Sequence, residues 1–508
     1  MMVILVFFVI ALCVFHFMVH YDKKGIIINK IPGPKAVPIF GNILSFMVPQ
    51  NKLWNVKRKI NNEFYPINRT WNFGRPFVNI YHPDDAEKLL TSMKHIEKGD
   101  IYHMTMPWLG TGLLTSAGSK WQKRRKMLTP AFHFNVLLDF VDIFVENGES
   151  LVNSLKSENG PFVKDLVPLL TKYTLNAICE TAMGTTLHDD VNSRDTDYRS
   201  AVTQIGDLFI YRFFRPWLHP DKIFYSTSVG VKQSKLLNIL HGFSNSIIFD
   251  RKKYYNNVVV KKNIENQKSE KLDSDMEFVK KKRMAMLDTL IAAQNNGHQI
   301  DDVGIREEVD TFIFEGHDTT AMALCFAVSL LAEHKEIQEQ ARNEVDDVLR
   351  ESNGKMGMAE IQKFFYLERC VKEALRLYPS VPMVARNIRE DLQLKNYVVP
   401  AGSCVQLYIY DLHRDPKFWP NPKTYNPDRF LPDRIQGRHP YSYIPFSAGA
   451  RNCIGQKFAL LELKALVAHI LHNFELEAID YAHEINILAD LVIRPGQPIR
   501  VKFIPRVK

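Results

Sequence analysis

Apolar side chains recur every three or four residues along most of the chain from residue 43 onward, a spacing that gathers them on one face of an α-helix. The pattern predicts helices at 120–156, 162–184, 197–213, 232–255, 303–333, 335–352, 359–377 and 455–474. Alternating or β-branched runs predict strands at 74–82, 392–399, 403–409 and 497–504. No internal repeat and no long linker separates these elements. The pattern therefore predicts a single large domain, mainly α with a minor β component.

The start of the chain is a separate apolar segment. Residues 3–19 carry no charged side chain and approach the length of a short membrane span. No positively charged segment precedes this run and no small-residue cleavage motif follows it, which disfavours a removed signal peptide. Lys23 and Lys24 follow the run and favour a cytosolic position for the rest of the chain. Residues 1–24 are therefore predicted to be a single transmembrane anchor.

Three prolines come after the predicted anchor. Pro32, Pro34 and Pro38 lack a backbone N–H and fix φ, so residues 25–42 are predicted to form a stiff, non-helical hinge. The predicted globular domain then extends over residues 43–508.

The net charge of +9 over 508 residues is concentrated in two stretches. Residues 101–138 hold five basic and no acidic side chains, and residues 251–283 hold eleven basic and five acidic ones. Together they carry +11, so the rest of the chain is nearly neutral at −2. Neither stretch interleaves its basic residues with the aromatic residues that bind single-stranded nucleic acid. The charge pattern therefore argues against nucleic-acid binding, and it assigns no role to 251–283.

Cys453 lies in the most distinctive sequence of the chain, P-F-S-A-G-A-R-N-C-I-G-Q-K-F-A at 445–459. The six cysteines are widely spaced without a C-x-x-C pair, which is typical of reduced thiols rather than of disulfides or a zinc site. A lone cysteine cannot complete a zinc or iron–sulfur site, but it suffices as the axial thiolate of a haem. The alternative is a buried structural thiol.

The surroundings of Cys453 favour the ligand interpretation. The cysteine precedes an amphipathic helix, so backbone N–H groups and the helix dipole are expected to lower the pKa of its thiol. Gly449 and Gly455 are expected to let the backbone approach a flat ligand closely. Arg451 is expected to reach an anionic group on that ligand.

Two further patterns place charged groups on helix faces. Glu373 and Arg376 are three residues apart in V-K-E-A-L-R-L-Y-P, and N-P-D-R-F supplies Arg429 as a candidate partner. The alternative is an ordinary exposed ion pair. Trp121 and Arg125 are four residues apart within the first basic stretch, where they could hold carboxylates at the edge of a ligand.

The sequence D-T-F-I-F-E-G-H-D-T-T-A at 310–321 is unusual for the interior of a helix, because glycine and adjacent threonines weaken it. Its apolar flanks disfavour the alternative of a polar face towards solvent. Asp318 and Thr319 place an acid next to an alcohol, which is what a proton relay into a dry pocket requires. The segment is therefore predicted to be functional.

In this order, these patterns resemble those of a cytochrome P450 over essentially the whole chain. The resemblance implies a P450 fold around a buried haem b, with residues 43–508 as the catalytic domain. It also implies specific roles: Cys453 as proximal ligand of the haem iron; Trp121, Arg125, Arg386 and Arg451 as contacts of the haem propionates; Glu373, Arg376 and Arg429 as a buried triad that holds the cysteine loop; Asp318 and Thr319 as the source of protons during dioxygen activation.

Glu315 narrows the resemblance. Most P450s have Ala or Gly at its position, whereas F-E-G-H-D-T-T resembles family 4, the fatty-acid ω-hydroxylases and their arthropod relatives. In that branch this glutamate can form an ester with a haem methyl group, so the resemblance implies a covalently anchored haem and terminal hydroxylation. The alternative is a Glu315 that only hydrogen-bonds or titrates. The expected apolar pocket suits fatty acids, terpenoids and hydrophobic xenobiotics alike.

Electrons must come from a partner, because the chain has no G-x-G-x-x-G dinucleotide site; G-T-G-L-L-T at 110–115 lacks the third glycine. The resemblance implies NADPH-cytochrome P450 reductase as the donor, with cytochrome b5 as a second one, at the cytosolic face of the endoplasmic reticulum membrane. The basic cluster around Trp121 is the expected docking face. Two alternatives share the fold: a thiolate-haem isomerase or peroxide-rearranging enzyme, and a non-enzymatic haem-binding protein. Neither needs the acid–alcohol pair.

Overall fold

The computed structural model describes residues 2–158, 160–187, 192–259, 285–297 and 300–506, most of which are helical. The main helices are α1 (Met2–His20), α2 (Gln50–Glu63), α3 (Pro83–Thr91), α4 (Gly118–Leu128), α5 (Phe134–Lys156), α6 (Leu166–Thr181), α7 (Asn192–Phe213), α8 (Ser228–Tyr254), α9 (Met286–Asn295), α10 (Asp302–Glu333), α11 (Lys335–Glu351), α12 (Phe365–Leu377) and α13 (Gln456–Asn473). Short helices lie at Lys23–Asn29, Ile43–Phe46, Met106–Leu109, Asp221–Phe224, Met358–Lys363, Ile409–Leu412 and Pro432–Ile435.

Three of the long predicted helices are interrupted, and the one at 359–377 divides at Phe364 into Met358–Lys363 and α12. The predicted helix at 120–156 divides into α4 and α5, which bend by 59°. Pro130 lies in the 3₁₀ turn between them, where it cannot donate the backbone bond that would continue the helix. The predicted helix at 162–184 begins instead as a strand. Asp165 ends that strand and caps α6 by accepting a hydrogen bond from the Val167 N–H at 3.2 Å.

The strands are β1 (Ile67–Asn72), β2 (Arg75–Ile80), β3 (Phe162–Asp165), β4 (Met383–Asn387), β5 (Leu392–Gln393), β6 (Val398–Val399), β7 (Cys404–Tyr408), β8 (Phe474–Ala478), β9 (Ile487–Leu488), β10 (Arg494–Pro495) and β11 (Arg500–Pro505). One sheet has the order β1-β2-β7-β4, in which only β2 and β7 are parallel. A second has the antiparallel order β3-β11-β8, and β5–β6 and β9–β10 form separate pairs. Each predicted strand region contains a strand.

The predicted non-helical hinge is partly helical, contrary to expectation. Helix Lys23–Asn29 is capped by Asp22, whose side chain accepts from the Gly25 N–H at 2.6 Å. Ile28 and Ile31 are buried in the core beside the β1-β2-β7-β4 sheet. Burial of this apolar run, which precedes the first proline, outweighs the stiffness expected of the connector. Within the described residues, no single helix is both long and apolar enough to cross a membrane, although the bent pair α4 and α5 would meet that test together.

Helix α10 runs through the centre of the core. Asp301 caps it by accepting from the Gly304 N–H at 2.8 Å, and nearly all of its side chains are buried. It packs closely on α6 because Gly316 has no side chain: a Cβ there would lie 2.6 Å from Ile178 Cδ1. Helices α8, α12 and α13 surround it. The architecture is the predicted one, a single large domain that is mainly α with a minor β component.

Candidate active site

A deep cavity separates the middle of α10 from the loop that precedes α13. Its volume is about 1650 Å³, including its open mouth. Six of the predicted site residues line it: Trp121, Arg125, Glu315, Thr319, Arg451 and Cys453. Much of the remaining wall is apolar and includes Ile101, Leu113, Leu114, Phe132, Ile178, Phe312, Val381, Met383, Leu491 and Val492. The elements that were predicted to carry the chemistry therefore meet at one place.

The loop before α13 presents the Cys453 thiol to this cavity. The Cys453 N–H donates to the Phe446 carbonyl at 2.9 Å, which closes the loop. Gly449 has a φ of +69°, and a Cβ there would lie 1.9 Å from the Leu90 carbonyl oxygen. The turn and Leu90 therefore require this glycine, rather than close approach to a ligand as predicted. Gly455 does line the cavity.

The protein alone does not make Cys453 a thiolate. Burial raises the pKa of the thiol to about 11, although a hydrogen bond from the Gly455 N–H opposes the increase. The loop N–H therefore lowers this pKa as expected, but the net shift is upward, because desolvation of the charged form is the larger effect. Coordination to a metal cation deprotonates such a thiol outright, so this position suits a metal ligand better than a free nucleophile.

Glu373 joins Arg376 and Arg429 in a buried ionic cluster. Arg376 donates to the Glu373 carboxylate at 2.7 and 2.8 Å, and Arg429 Nε donates to it at 3.2 Å. Both Glu373 and Arg376 are inaccessible to solvent. Arg376 also donates to the His413 carbonyl at 2.9 Å, and the His413 ring accepts from the Ile444 N–H at 2.8 Å. The cluster is thereby linked to the segment that leads into the cysteine loop.

Cationic side chains gather near the cavity. Lys98, Arg125 and Arg451 line the wall, and Arg386 is buried next to Lys98, with which its backbone forms a β-bridge. In the described part of the chain, no salt bridge joins any of these four to an acidic residue. Burial, together with repulsion by Arg386, lowers the pKa of Arg451 to about 9.

The hydrogen-bond partners of these cations indicate whether the site suits a haem. Arg451 donates to the carbonyls of Ile96, Leu113 and Ser116, and Arg125 donates to Asn452 at 2.8 and 2.9 Å. Buried cations that have only neutral partners are unfavourable, so the site suits a ligand with carboxylates at this edge. A haem has two propionates, an apolar macrocycle for the apolar wall and an iron for Cys453. The residues present fit that group.

Helix α10 contributes an acid and an alcohol to the cavity, but the acid is not the predicted one. Glu315 and Thr319 line the wall, and the Thr319 hydroxyl donates to the Glu315 carbonyl at 2.6 Å. Burial raises the pKa of Glu315 to about 7, whereas Lys98 opposes the increase. Asp318 is not part of the wall: both of its carboxylate oxygens accept from Arg494 at 2.7 Å.

Some lining residues could not be inferred from the sequence. Lys98 and Asp490 line the cavity, yet Lys98 lies in H-I-E-K-G-D, whose charge pattern is that of an exposed loop. Residues 209–217 do not contribute to the wall, and Phe213 lines a second cavity instead. Phe314 packs against Trp108, with ring centroids 4.7 Å apart.

A central helix bearing an acid and an alcohol, a cysteine loop facing it and a buried Glu–Arg–Arg cluster define a haem-thiolate site. The family model for "Cytochrome P450" matches residues 31–503, so the chain belongs to the cytochrome P450 family and is a P450 monooxygenase. It is 41% identical to cytochrome P450 4c3 of Drosophila melanogaster over 96% of this chain and 92% of the relative. It is 39% identical to cytochrome P450 4c21 of Blattella germanica over 97% of each chain. Human cytochrome P450 4V2 is 40% identical over 84% of this chain and 79% of its own length. These relatives are members of P450 family 4.

Proposed function

We propose that this P450 hydroxylates the terminal carbon of a fatty acid. The observation that carries the proposal is that Glu315, the residue typical of family 4, lines the same cavity as Cys453. Most of the other wall residues are apolar, as a hydrocarbon chain requires. Terpenoids and hydrophobic xenobiotics would suit the apolar wall equally well. Glu315 favours the fatty acid, because its family-4 counterparts occur in fatty-acid ω-hydroxylases.

The chain's own residues would hold the haem in a defined orientation. A haem held by a thiolate activates dioxygen and oxidises unactivated C–H bonds. Cys453 would ligate the iron, and the cationic cluster would pair with the propionates. The contacting residues would be Lys98, Trp121, Arg125, Arg386 and Arg451.

Thr319 is proposed to deliver protons to the cavity from the wall formed by helix α10. Its hydroxyl donates to the Glu315 carbonyl at 2.6 Å, so the hydroxyl oxygen is still able to accept a hydrogen bond from a water molecule. A water held in this way can deliver a proton into the otherwise apolar cavity. The apolar wall around it excludes further water and so limits unproductive reduction of dioxygen.

Glu315 is proposed to anchor the haem through an ester. Its carboxylate oxygen would form a C–O bond to a haem methyl carbon in place of one C–H bond. That bond formation releases two electrons and two protons, one proton from the carboxyl group and one from the methyl group, and both pass to dioxygen, the oxidant that the monooxygenase already uses, to give hydrogen peroxide. The anchor would stiffen the pocket, so that a chain enters end-on with its terminal methyl group foremost.

The ester is tested by extracting the denatured holoenzyme with acidified organic solvent. We expect haem to remain with the polypeptide in the natural protein and to leave it in the Glu315→Gln variant. Glu307→Gln is the matched control, since Glu307 lies on the same helix but binds Lys120 at 2.7 Å. Release of all the haem from the natural protein as free protohaem would contradict the ester.

Helix α4 is proposed to dock NADPH-cytochrome P450 reductase, with cytochrome b5 as a second donor. Lys123 and Lys126 are exposed on the surface of this helix, and Lys120 and Arg124 pair with Glu307 and Glu308 of α10. The same helix reaches the cysteine loop through the Arg125–Asn452 contact. An acidic flavoprotein bound here would lie close to the proximal ligand.

We also propose that the protein is held at the endoplasmic reticulum membrane with its catalytic domain in the cytosol. Helix α1 exposes large apolar side chains such as Phe7 and Phe17, and Lys23 and Lys24 follow it. Trp217 is also exposed, so residues 212–220 offer a second apolar contact through which a lipid substrate could enter.

A further inference from the structure

A pair of polar links fastens the β9–β10 hairpin to helix α10 beside the cavity. In the first link, Arg494 Nη1 and Nη2 each donate to one oxygen of Asp318 at 2.7 Å. The side chains of Arg494 and Asp318 are only 8% and 2% exposed. Two parallel charge-assisted hydrogen bonds in such a dry environment fix orientation as well as distance.

The second link joins the neighbouring residues of the same two elements. The Ile493 N–H donates to the Ser380 carbonyl at 2.7 Å. The Ser380 hydroxyl in turn donates to the Thr319 carbonyl at 2.7 Å. Two consecutive hairpin residues are therefore linked to two consecutive residues of the helix. Arg494 binds Asp318 directly through its guanidinium, and Ile493 is linked to Thr319 through Ser380. We call this arrangement of Asp318, Thr319, Ser380, Ile493 and Arg494 the hairpin clasp.

Asp490 extends the hairpin clasp to helix α7. Its carboxylate accepts from Arg494 Nε at 3.3 Å, so one guanidinium serves two buried carboxylates. A Cβ on Gly206 of α7 would lie 2.4 Å from Asp490 Oδ2, which shows how closely the carboxylate approaches that helix. Arg494 is thus the only cation in contact with both acids among the described residues.

The hairpin clasp lies next to residues of the cavity wall in the sequence and therefore affects the position of that wall. Asp490, Leu491 and Val492 line the wall and immediately precede the two clasp residues of the hairpin. Thr319 lines a neighbouring part of the wall, to which the hairpin is linked through Ser380. The relative position of these two parts of the wall is therefore set by the contacts of residues 493–494 with Asp318, Thr319 and Ser380.

We propose that Arg494 is a positioning residue that holds the 490–492 wall in register with Asp318 and Thr319. Arg494 itself does not line the cavity and acts through the wall that it holds. While Arg494 occupies both oxygens of Asp318, proton delivery into the cavity falls to Thr319 and its water. The inference requires only monooxygenase activity and does not depend on the identity of the substrate.

Hydrogen exchange of the full-length ferric holoenzyme tests the clasp directly. In Arg494→Gln we expect the amides of 487–494 to exchange about tenfold faster or more, because the hairpin opens locally. Arg500→Gln is the matched control: Arg500 also binds one carboxylate, that of Asp480, through two nitrogens at 2.8 Å, but it is exposed. Exchange in Arg494→Gln equal to that of the natural protein would overturn the proposal.

A second experiment measures how NADPH electrons divide between hydroxylated product and hydrogen peroxide, with dodecanoic acid as the probe substrate. We expect Arg494→Gln to divert at least a severalfold larger share of NADPH electrons to hydrogen peroxide and to spread hydroxylation over more carbons. Arg494→Lys should lie between the two proteins, since a lysine keeps the charge but not the paired donors. Unchanged coupling and regiochemistry in Arg494→Gln would also overturn the proposal.

The two readouts separate this inference from the proposed function. If the natural protein does not oxidise dodecanoic acid, the fatty-acid proposal fails, but hydrogen exchange and peroxide formation without an organic substrate still decide the role of Arg494. If Arg494→Gln does not retain haem, the Asp490→Asn variant takes its place in the same exchange measurement. This substitution weakens only the longest contact of the Arg494 guanidinium, the one to Asp490 at 3.3 Å. Faster exchange at 487–494 supports the clasp, and unchanged exchange overturns it.

Discussion

Glu373 is the anion between two buried guanidinium groups. Its carboxylate accepts from Arg376 and Arg429 and from the Asn426 N–H at 3.0 Å. Such a cluster is not necessarily more stable than apolar packing, but the loss of one member leaves the other charges buried without compensation. The geometry thus makes Glu373 the residue whose loss should most affect the segment leading to the cysteine loop.

Glu373→Ala is expected to lower the free energy of unfolding by about 3–5 kcal/mol, because it leaves two guanidinium groups without their anion. Urea unfolding of the holoenzyme, followed by far-ultraviolet circular dichroism, measures the loss. Glu351→Ala is the control, since Glu351 pairs with Lys363 at the exposed surface and should cost less than about 1 kcal/mol. Similar losses in the two variants would contradict the role assigned to the buried cluster.

At the residue scale, contacts within a recognisable motif could be predicted and contacts between distant segments could not. The spacing of Glu373 and Arg376 and the later P-D-R-F predicted a cluster that the structure contains. Asp318 also carried a predicted role, but its partner Arg494 is 176 residues away in an ordinary-looking segment. No local pattern indicates a contact across that separation, so the sequence could not show that Asp318 faces away from the cavity.

Helix α13 carries a buried acid, Glu462, whose effect on stability differs from that of the Glu373 cluster. Among the described residues, neither oxygen of Glu462 has a hydrogen-bond partner, and Glu462 is almost fully buried. Burial raises the pKa of Glu462 well above its usual range, so the folded protein keeps this carboxyl group protonated at pH values where the unfolded chain releases the proton. Its contribution to stability is therefore lost progressively as the pH rises above the unfolded value.

Glu462→Gln should remove that pH dependence. The stability of the variant relative to the natural protein is expected to increase between pH 5 and pH 8, by up to about 1.4 kcal/mol per pH unit. Urea unfolding at several pH values measures this slope, which is independent of any constant cost of the amide. Glu475→Gln is the control, since Glu475 is partly exposed and lies 3.5 Å from Lys335. A slope equal to that of the control would contradict a protonated Glu462.

Reversing the charge of Lys123 and Lys126 should weaken the reductase complex. The double glutamate variant is expected to raise the reductase concentration for half-maximal turnover about fivefold or more and to reduce its dependence on ionic strength. The matched control reverses Lys232 and Lys235, which are exposed at the same spacing on α8, a helix that does not line the cavity. Equal effects in both variants would argue against docking on α4.

At the element scale, periodicity located the helices but not their interruptions. The apolar spacing continues through Pro130, so 120–156 read as one helix, although the proline divides α4 from α5. Strands β1 and β4 carry no clear alternation, because their pairing with β2 and β7 rather than a polar outer face determines them. These are tertiary effects that local sequence does not contain.

At the scale of the whole molecule, several of the basic residues behind the positive net charge have specific partners or positions in the structure. In the first basic stretch, Lys120 and Arg124 are paired with acids of α10, and Arg125 belongs to the cavity. In the second, Arg251 pairs with Asp288, and residues 260–283 lie outside the described part of the chain. Part of the surplus therefore consists of basic residues with specific acidic partners or a place in the cavity wall.

The most direct test of the account is oxidation of dodecanoic acid by the purified holoenzyme with reductase and NADPH under oxygen-18 gas. We predict that the main product is the terminal alcohol, that it contains one labelled oxygen atom, and that it forms only when NADPH and reductase are present. Unlabelled product, hydroxylation mainly at internal carbons, or a rearranged lipid peroxide formed without NADPH would contradict it.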